Sequence, residues 1–150
     1  MSTTLVPYLS FGGNTRAAFA FYEQALGAQI QAMLSYADVP APPADASGCG
    51  GQPMPMGDGI MHACLVLPGG AMLFAGDLPP SMPFEGIKNA MLALQYDTVA
   101  QAEAAFAALA EGGQITMPLA PAFWSKTFGM LTDRFGVSWA VNGEAIPLPA

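Results

Sequence analysis

Short apolar runs alternate along this chain with two longer segments of helical periodicity. Runs that end at glycine or proline predict β-strands, because turn residues interrupt strand pairing. In the first half of the sequence they predict four strands, at residues 5–11, 28–36, 60–67 and 71–76. In the second half they predict strands at residues 89–96 and 114–118 and a hairpin within residues 125–141.

Each helical segment repeats apolar residues at intervals of three and four, the spacing of one helix face. The first helix is capped by Asn14 or Thr15 and ends at Gly27, and the second begins at a capping box opened by Thr98 and ends at Gly112. The predicted apolar faces are Ala18, Phe21, Tyr22 and Ala25 in the first helix, and Val99, Ala102, Phe106 and Leu109 in the second.

The order strand, helix, strand, strand, strand occurs twice, which predicts a single α+β domain of two βαβββ modules at approximately residues 1–80 and 86–146. A shift of 85 relates the copies, and Ile30 falls on Ile115. From Ile30 to the hairpin glycine Gly70 is 40 positions, whereas Gly136 follows Ile115 by 21. The surplus of 19 matches an irregular loop rich in proline and glycine at residues 38–59, typical of a lid or a disordered segment.

The last hairpin turns at Asp133 to Gly136, since glycine supplies the positive φ that such turns need. Residues 137–141 then predict a terminal strand that closes a sheet. Asp77 ends the corresponding strand of the first module. Because aspartate in these places usually serves turn geometry, we expect structural roles for Asp77 and Asp133.

Composition narrows the choice of partners. An apolar fraction of 53% leaves apolar surface that a second copy could cover, so we expect a homodimer. The net charge of −7, with only four cations, disfavours nucleic acid, whose binding needs clustered Lys and Arg. The sequence shows no apolar run of membrane-spanning length, no signal-peptide pattern and no disulfide framework, so we expect a cytoplasmic protein without membrane contact.

Local motifs in the two modules resemble those of the vicinal oxygen chelate superfamily, the group of glyoxalase I, fosfomycin-resistance proteins, extradiol dioxygenases and bleomycin-resistance proteins. The motifs are Phe21-Tyr22-x-x-Ala25-Leu26-Gly27 and Asp133-x-Phe135-Gly136-x-x-Trp139. Met61-His62-Ala63, Gly76-Asp77 and Phe123-Trp124 are similar to the PhnB-like branch, which also carries a 3-demethylubiquinone 3-methyltransferase-like label. The resemblance implies the glyoxalase/bleomycin resistance/dioxygenase fold, in which the modules form an open cleft.

The resemblance also implies where metal ligands would stand in the metal-dependent members. Their last-strand glutamate follows the hairpin glycine by four residues, and here that position is Ala140. Its counterpart in the first module falls near Phe74, and neither residues 89–94 nor the first strand around Tyr8 contains a histidine. We therefore predict that the usual metal site is missing and predict no cofactor.

The single histidine, His62, shares a predicted strand face with Cys64. His62 is either a hydrogen-bonded structural residue or a cleft residue that binds or protonates a ligand near neutral pH, and it is the best candidate for a catalytic group. Cys64 is typical of a small core residue and is a weaker ligand-binding candidate. Phe123 and Trp124 lie in a predicted loop, where they either fill apolar space between the modules or stack on a ligand. Phe128 is expected nearby on the following strand.

The leading hypothesis is therefore a protein that binds a small, partly apolar molecule through His62, Trp124 and Phe128, without the usual metal, in a sequestration or resistance role. The alternative is a metal-dependent lyase, isomerase or dioxygenase whose atypical divalent metal site combines His62 with Asp77 or Glu144. A third possibility is an interaction module whose cleft is filled by its own side chains.

Overall fold

A computed structural model of the chain describes residues 2–38, 58–79 and 82–149. The chain divides into two compact units, Met1–Phe84 and Glu85–Ala150. The described part of each unit contains one four-stranded sheet and one α-helix. Most of the loop predicted at residues 38–59, including Cys49, lies outside the described residues.

The observed elements repeat in the predicted order, so the βαβββ prediction is confirmed. The first unit contains β1 (Tyr8–Phe11), α1 (Thr15–Leu26), β2 (Gln29–Ser35), a short 3-10 turn (Tyr36–Asp38), β3 (Ile60–Val66) and β4 (Met72–Asp77). The second unit contains β5 (Leu92–Tyr96), α2 (Val99–Ala110), β6 (Gln114–Ala120), β7 (Ser125–Thr132) and β8 (Ser138–Ala145).

Both sheets have the same strand order, β1-β4-β3-β2 in the first unit and β5-β8-β7-β6 in the second. In each, the first strand lies parallel beside the last, and the other neighbours are antiparallel. The prediction that residues 137–141 form a terminal strand was wrong, because β8 pairs on both sides. The α2 crossover carries the chain from β5 to the far edge strand β6, and β8 then returns to lie between β5 and β7, where it is buried along most of its length.

Several strand ends differ from the predicted ones for local reasons. Leu5 is 93% exposed, and β1 begins only at Tyr8. Asn89 has a positive φ of 59°, which extended strand backbone cannot accommodate, so β5 begins at Leu92. The edge strand β6 continues through Pro118, because an edge strand can lack one backbone donor.

The repeat spacing holds for the strands but not for the helices. The starts of β2 and β6 are 85 residues apart, and those of β4 and β8 are 66 apart. The shift of 85 predicts that Phe21 corresponds to Phe106, and this prediction was wrong. The buried helix residues instead correspond at a shift of 87, so Phe19 is the counterpart of Phe106. The buried sets are Thr15, Ala18, Phe19, Tyr22 and Leu26 in α1, and Ala102, Ala105, Phe106 and Leu109 in α2.

Each helix packs on one face of its own sheet. A Cβ atom added to Gly143 would lie 2.6 Å from Cβ of Ala102, and one on Gly129 would lie 2.9 Å from Phe106, so both glycines face α2. Because side chains alternate along a strand, neighbouring residues of β7 and β8 point away from the helix. We call this second face of each sheet the helix-distal face.

Asp77 joins three elements of the first unit. Its Oδ1 accepts hydrogen bonds from the backbone N–H (3.0 Å) and the hydroxyl (2.7 Å) of Thr15, the first residue of α1. Its Oδ2 accepts one from the N–H of Ile60 at the start of β3 (2.8 Å). The predicted structural role of Asp77 is confirmed, although the carboxylate stabilises a helix N-terminus from a distant strand instead of shaping a turn.

Asp133 organises the turn between β7 and β8. Its Oδ1 accepts from the backbone N–H of Phe135 (2.8 Å) and of Val137 (3.0 Å). Its Oδ2 accepts from Nε1 of the buried Trp139 (2.8 Å). The predicted turn role is confirmed, and the same side chain also satisfies the indole of the largest core residue.

We expect the Asp77→Asn substitution to lower the free energy of unfolding by about 2 kcal/mol or more, because an amide group can no longer accept at both ends. Urea unfolding followed by circular dichroism would measure the change. Asp58→Asn, the same substitution at an exposed residue, should have little effect. Equal stability of the Asp77 variant and the wild type would show that the carboxylate does not hold these elements together.

Candidate functional site

Three aromatic side chains form a cluster on the helix-distal face of the first sheet. The ring centroids of His62 and Phe74 are 5.0 Å apart in an edge-to-face arrangement, and those of Tyr8 and His62 are 5.9 Å apart. Strand register builds the cluster, because Tyr8 pairs with Phe74 between β1 and β4, and Phe74 pairs with Cys64 between β4 and β3. The alternation of β3 then places His62 on the same face as Cys64, as predicted.

His62 is held by ring contacts. Among the described residues, neither imidazole nitrogen forms a hydrogen bond or an ion pair, so the structural role based on hydrogen bonding finds no support in that part of the chain. A neutral imidazole offers one hydrogen-bond donor and one acceptor.

Tyr8 was not a candidate from the sequence, yet it completes the first cluster. Its side chain is half exposed, and its hydroxyl donates a hydrogen bond to the backbone carbonyl of Met61 (3.1 Å). Partial burial raises the pKa of Tyr8, because the protein desolvates the phenolate. Tyr36, whose hydroxyl donates to the carbonyl of Asp77 (2.7 Å), has a pKa raised by burial and by the charges of Tyr8 and Asp77.

Cys64 is a buried free cysteine beside Phe74. Its burial agrees with the interpretation of a small core residue. A ligand contact of this thiol remains a prediction.

A second aromatic cluster lies in the other unit. The ring of Trp124 is 5.0 Å from that of Phe128 and 4.7 Å from that of Phe123, in edge-to-face arrangements. The indole Nε1 of Trp124 donates to Oδ1 of Asn142 (2.9 Å), and Phe128 pairs with Asn142 between β7 and β8. The predicted proximity of Trp124 and Phe128 is confirmed, and Phe123 is 75% exposed.

Asn142 was missed from the sequence. Its only signal there is alternation along the last strand, which places it on the same face as Ala140. Its value as a site residue depends on the hydrogen bond to Trp124, a residue 18 positions away. The structure therefore assembles one cluster around His62 in the first unit and one around Trp124 in the second.

The positions that hold metal ligands in the metal-dependent relatives do not fit a divalent ion here. Tyr8 and Phe74 are paired on the helix-distal face of the first sheet, and Ala93 and Ala140 are paired in the second. Phenyl and methyl side chains carry no lone pair for a metal, and the raised pKa of Tyr8 keeps its phenol protonated at neutral pH. The donor set is therefore incompatible with the family's usual metal centre.

The atypical site that combines His62 with Asp77 is also contradicted. Asp77 binds the start of α1 on the helix side of the sheet, and both of its oxygens are already engaged. His62 lies on the opposite face. Glu144 is paired with Lys126 in the second unit. Among the described residues no group of three or more His, Cys, Asp and Glu side chains could hold a metal ion.

The chain belongs to the Glyoxalase/Bleomycin resistance protein/Dioxygenase superfamily, whose family model matches residues 4–141. Protein YjdN of Escherichia coli (strain K12) is 33% identical over 140 residues, which cover 92% of this chain and 93% of YjdN. The superfamily resemblance and its PhnB-like character are thus confirmed.

Solved structures agree with this assignment. The crystal structure of protein PA1353 from Pseudomonas aeruginosa is 49% identical in sequence and superimposes with a TM-score of 0.79, covering 94% of this chain and 97% of its own. The PhnB protein from Bacillus cereus is 26% identical with a TM-score of 0.71, covering 93% and 98%. No helix in the described part of the chain is long and apolar enough to cross a membrane.

We expect alkaline pH to weaken the fold partly through Tyr8. Its pKa is raised from 10.0, so its contribution to stability is complete below about pH 10 and is lost as the pH rises through the folded-state pKa. The phenolate can no longer donate to the carbonyl of Met61. Urea unfolding of the wild type and Tyr8→Phe at about pH 8 and about pH 11 should show a smaller alkaline loss in the variant. An equal loss in both proteins would contradict this role.

Proposed function

We propose that this chain binds small, partly apolar molecules at the aromatic clusters on the helix-distal faces of its sheets, each cluster taken within its own unit. The observation that carries the proposal is common to both units: aromatic rings accompany a polar side chain with unused hydrogen-bonding capacity. In the first unit that side chain is His62, and in the second it is Asn142. Apolar walls with a few polar groups are typical of small-molecule sites.

The charge of the protein supports a neutral or cationic ligand. A net charge of −7 disfavours the approach of anions and attracts cations.

Sequestration of such a molecule, as in the bleomycin-resistance proteins of the same superfamily, requires binding without a reaction. The described contacts of His62 and Trp124 supply binding groups without an assembled proton relay. Cytoplasmic location and a homodimer remain predictions.

Methyl transfer from S-adenosylmethionine is less well supported, despite the methyltransferase-like label of the PhnB-like branch. Such enzymes commonly use a parallel sheet with a glycine-rich turn that leads into a helix N-terminus. Here each sheet has a single parallel pair. The N-terminus of α1 already accommodates the carboxylate of Asp77. We therefore take that label as a family name.

A thermal-shift screen of aromatic fragments followed by calorimetry would test the binding proposal. For a ligand of the first cluster, His62→Ala should weaken binding by roughly tenfold, and for a ligand of the second cluster Trp124→Ala should do so, because each removes an aromatic contact. Leu148→Ala, at an exposed apolar residue outside both clusters, is the control and should leave affinity unchanged. Unchanged affinity in both would refute the proposed surfaces.

The metal-free interpretation is tested separately by elemental analysis of protein purified without chelators. We expect Zn, Fe, Mn and Ni far below one ion per chain, because the four ligand positions carry no suitable donors. A stoichiometric metal that disappears in His62→Ala would overturn this interpretation and favour the metal-dependent enzyme. The Trp124→Ala protein serves as the control, since it leaves His62 intact.

A further inference from the structure

Asn142 is a polar residue in an environment that offers it few partners. It is only 7% exposed, and it lies on β8 between Val141 and Gly143. Gly143 faces α2, so the side chain of Asn142 projects from the helix-distal face, where Phe128 is its partner on β7. Among the described residues, the buried side-chain atom that lacks a hydrogen-bond partner is Oδ1 of Asn14, so Nδ2 of Asn142 keeps contact with solvent and can be reached by a ligand.

The contact with Trp124 determines how this amide is oriented. An indole N–H can only donate, so the atom that receives it at 2.9 Å must be the amide oxygen, Oδ1. The other end of the amide, Nδ2, therefore carries two donor hydrogens. Within the described residues neither hydrogen meets an acceptor. The backbone carbonyl of Trp124 also accepts from the N–H of Ile146 (2.9 Å), which anchors the indole beside the end of β8.

The charges around this amide favour a neutral acceptor over a carboxylate. Among the strands of the second unit only β7 contains a cation, Lys126, and that side chain is paired with Glu144. The neighbour of Asn142 on β5 is the uncharged Gln95. A carboxylate would therefore meet no unpaired cation here, whereas a carbonyl oxygen accepts from an amide without a charge partner.

We propose that Asn142 selects, among planar aromatic ligands, those that carry a neutral carbonyl group. The ligand ring packs against Trp124 and Phe128, and its carbonyl oxygen accepts a hydrogen bond from Nδ2 of Asn142. This inference rests on the proposed function and specifies its ligand class. Trp124 has two roles: its ring contacts the ligand, and its indole N–H fixes the orientation of the Asn142 amide.

Two probes of nearly equal shape test the proposal: acetophenone, and α-methylstyrene, in which a methylene group replaces the carbonyl oxygen. Titrations of 15N-labelled protein are followed at the indole N–H signals of its two tryptophans, with Trp124→Phe used for assignment. Trp139 is an internal reference, because its N–H is bound to Asp133 in the core. We expect acetophenone to bind roughly fivefold more tightly, the effect of one net hydrogen bond.

Asn142→Asp is the informative variant, because its carboxylate still accepts from the Trp124 indole but has no N–H to donate. The preference for acetophenone should fall to about unity in this variant. It should persist in Asn89→Asp, which makes the same chemical change at an exposed residue.

Each outcome decides the matter. A preference for acetophenone that persists in Asn142→Asp overturns the inference. A preference that depends on Asn142 supports the inference. Equal binding of both probes, with Trp124 signals shifted, overturns the carbonyl selection while the proposed aromatic site stands. If neither probe shifts the Trp124 signal up to its solubility limit, the inference fails together with the part of the proposed function assigned to the second unit.

Discussion

In the described part of each unit, one α-helix covers one face of the four-stranded sheet. This packing leaves the opposite face of each sheet for the candidate site residues. The covered face has to be apolar and closely packed, so its residues are committed to the core. Residues on the helix-distal face point away from the helix of their own unit, so packing against that helix does not require them to be apolar. Its residues include the rings around His62 and Phe128 of the Trp124 cluster, and the predicted ligand-binding residues that lie on a strand, His62, Cys64 and Phe128, belong to it.

The two units join the end of the last strand to the start of the helix in different ways. In the first, Asp77 at the end of β4 binds Thr15 at the start of α1. By the repeat spacing, Gly143 takes the place of Asp77 and Ala102 that of Thr15, and here the strand and helix approach too closely for a Cβ atom. The hydrogen bonds between Asp77 and Thr15 in the first unit thus correspond to the close approach of Gly143 to Ala102 in the second. The duplicated architecture tolerates this exchange because both solutions bring the helix onto the end of the last strand.

The same duplication places the superfamily's metal positions at equivalent places in the two units. The first and last strands are parallel neighbours in both units, so the residue pairs Tyr8 with Phe74 and Ala93 with Ala140 occupy equivalent places. Carboxylate and imidazole side chains there would create a metal centre. Aromatic and methyl side chains create apolar surface instead, and the polar side chains beside them are those of His62 and Asn142.

The sequence by itself determined the order and approximate positions of the elements, the duplication, the superfamily and the turn role of Asp133, because these depend on local patterns and on motif spacing. It could not determine which residues of α1 are buried, since Phe19 and Phe21 are both apolar and only packing on the sheet chooses between them. It also misplaced the last strand at the end of a sheet. The neighbours of Asn142 and Tyr8 were decided by tertiary structure alone, because strand register and a side-chain hydrogen bond bring together residues far apart in the chain.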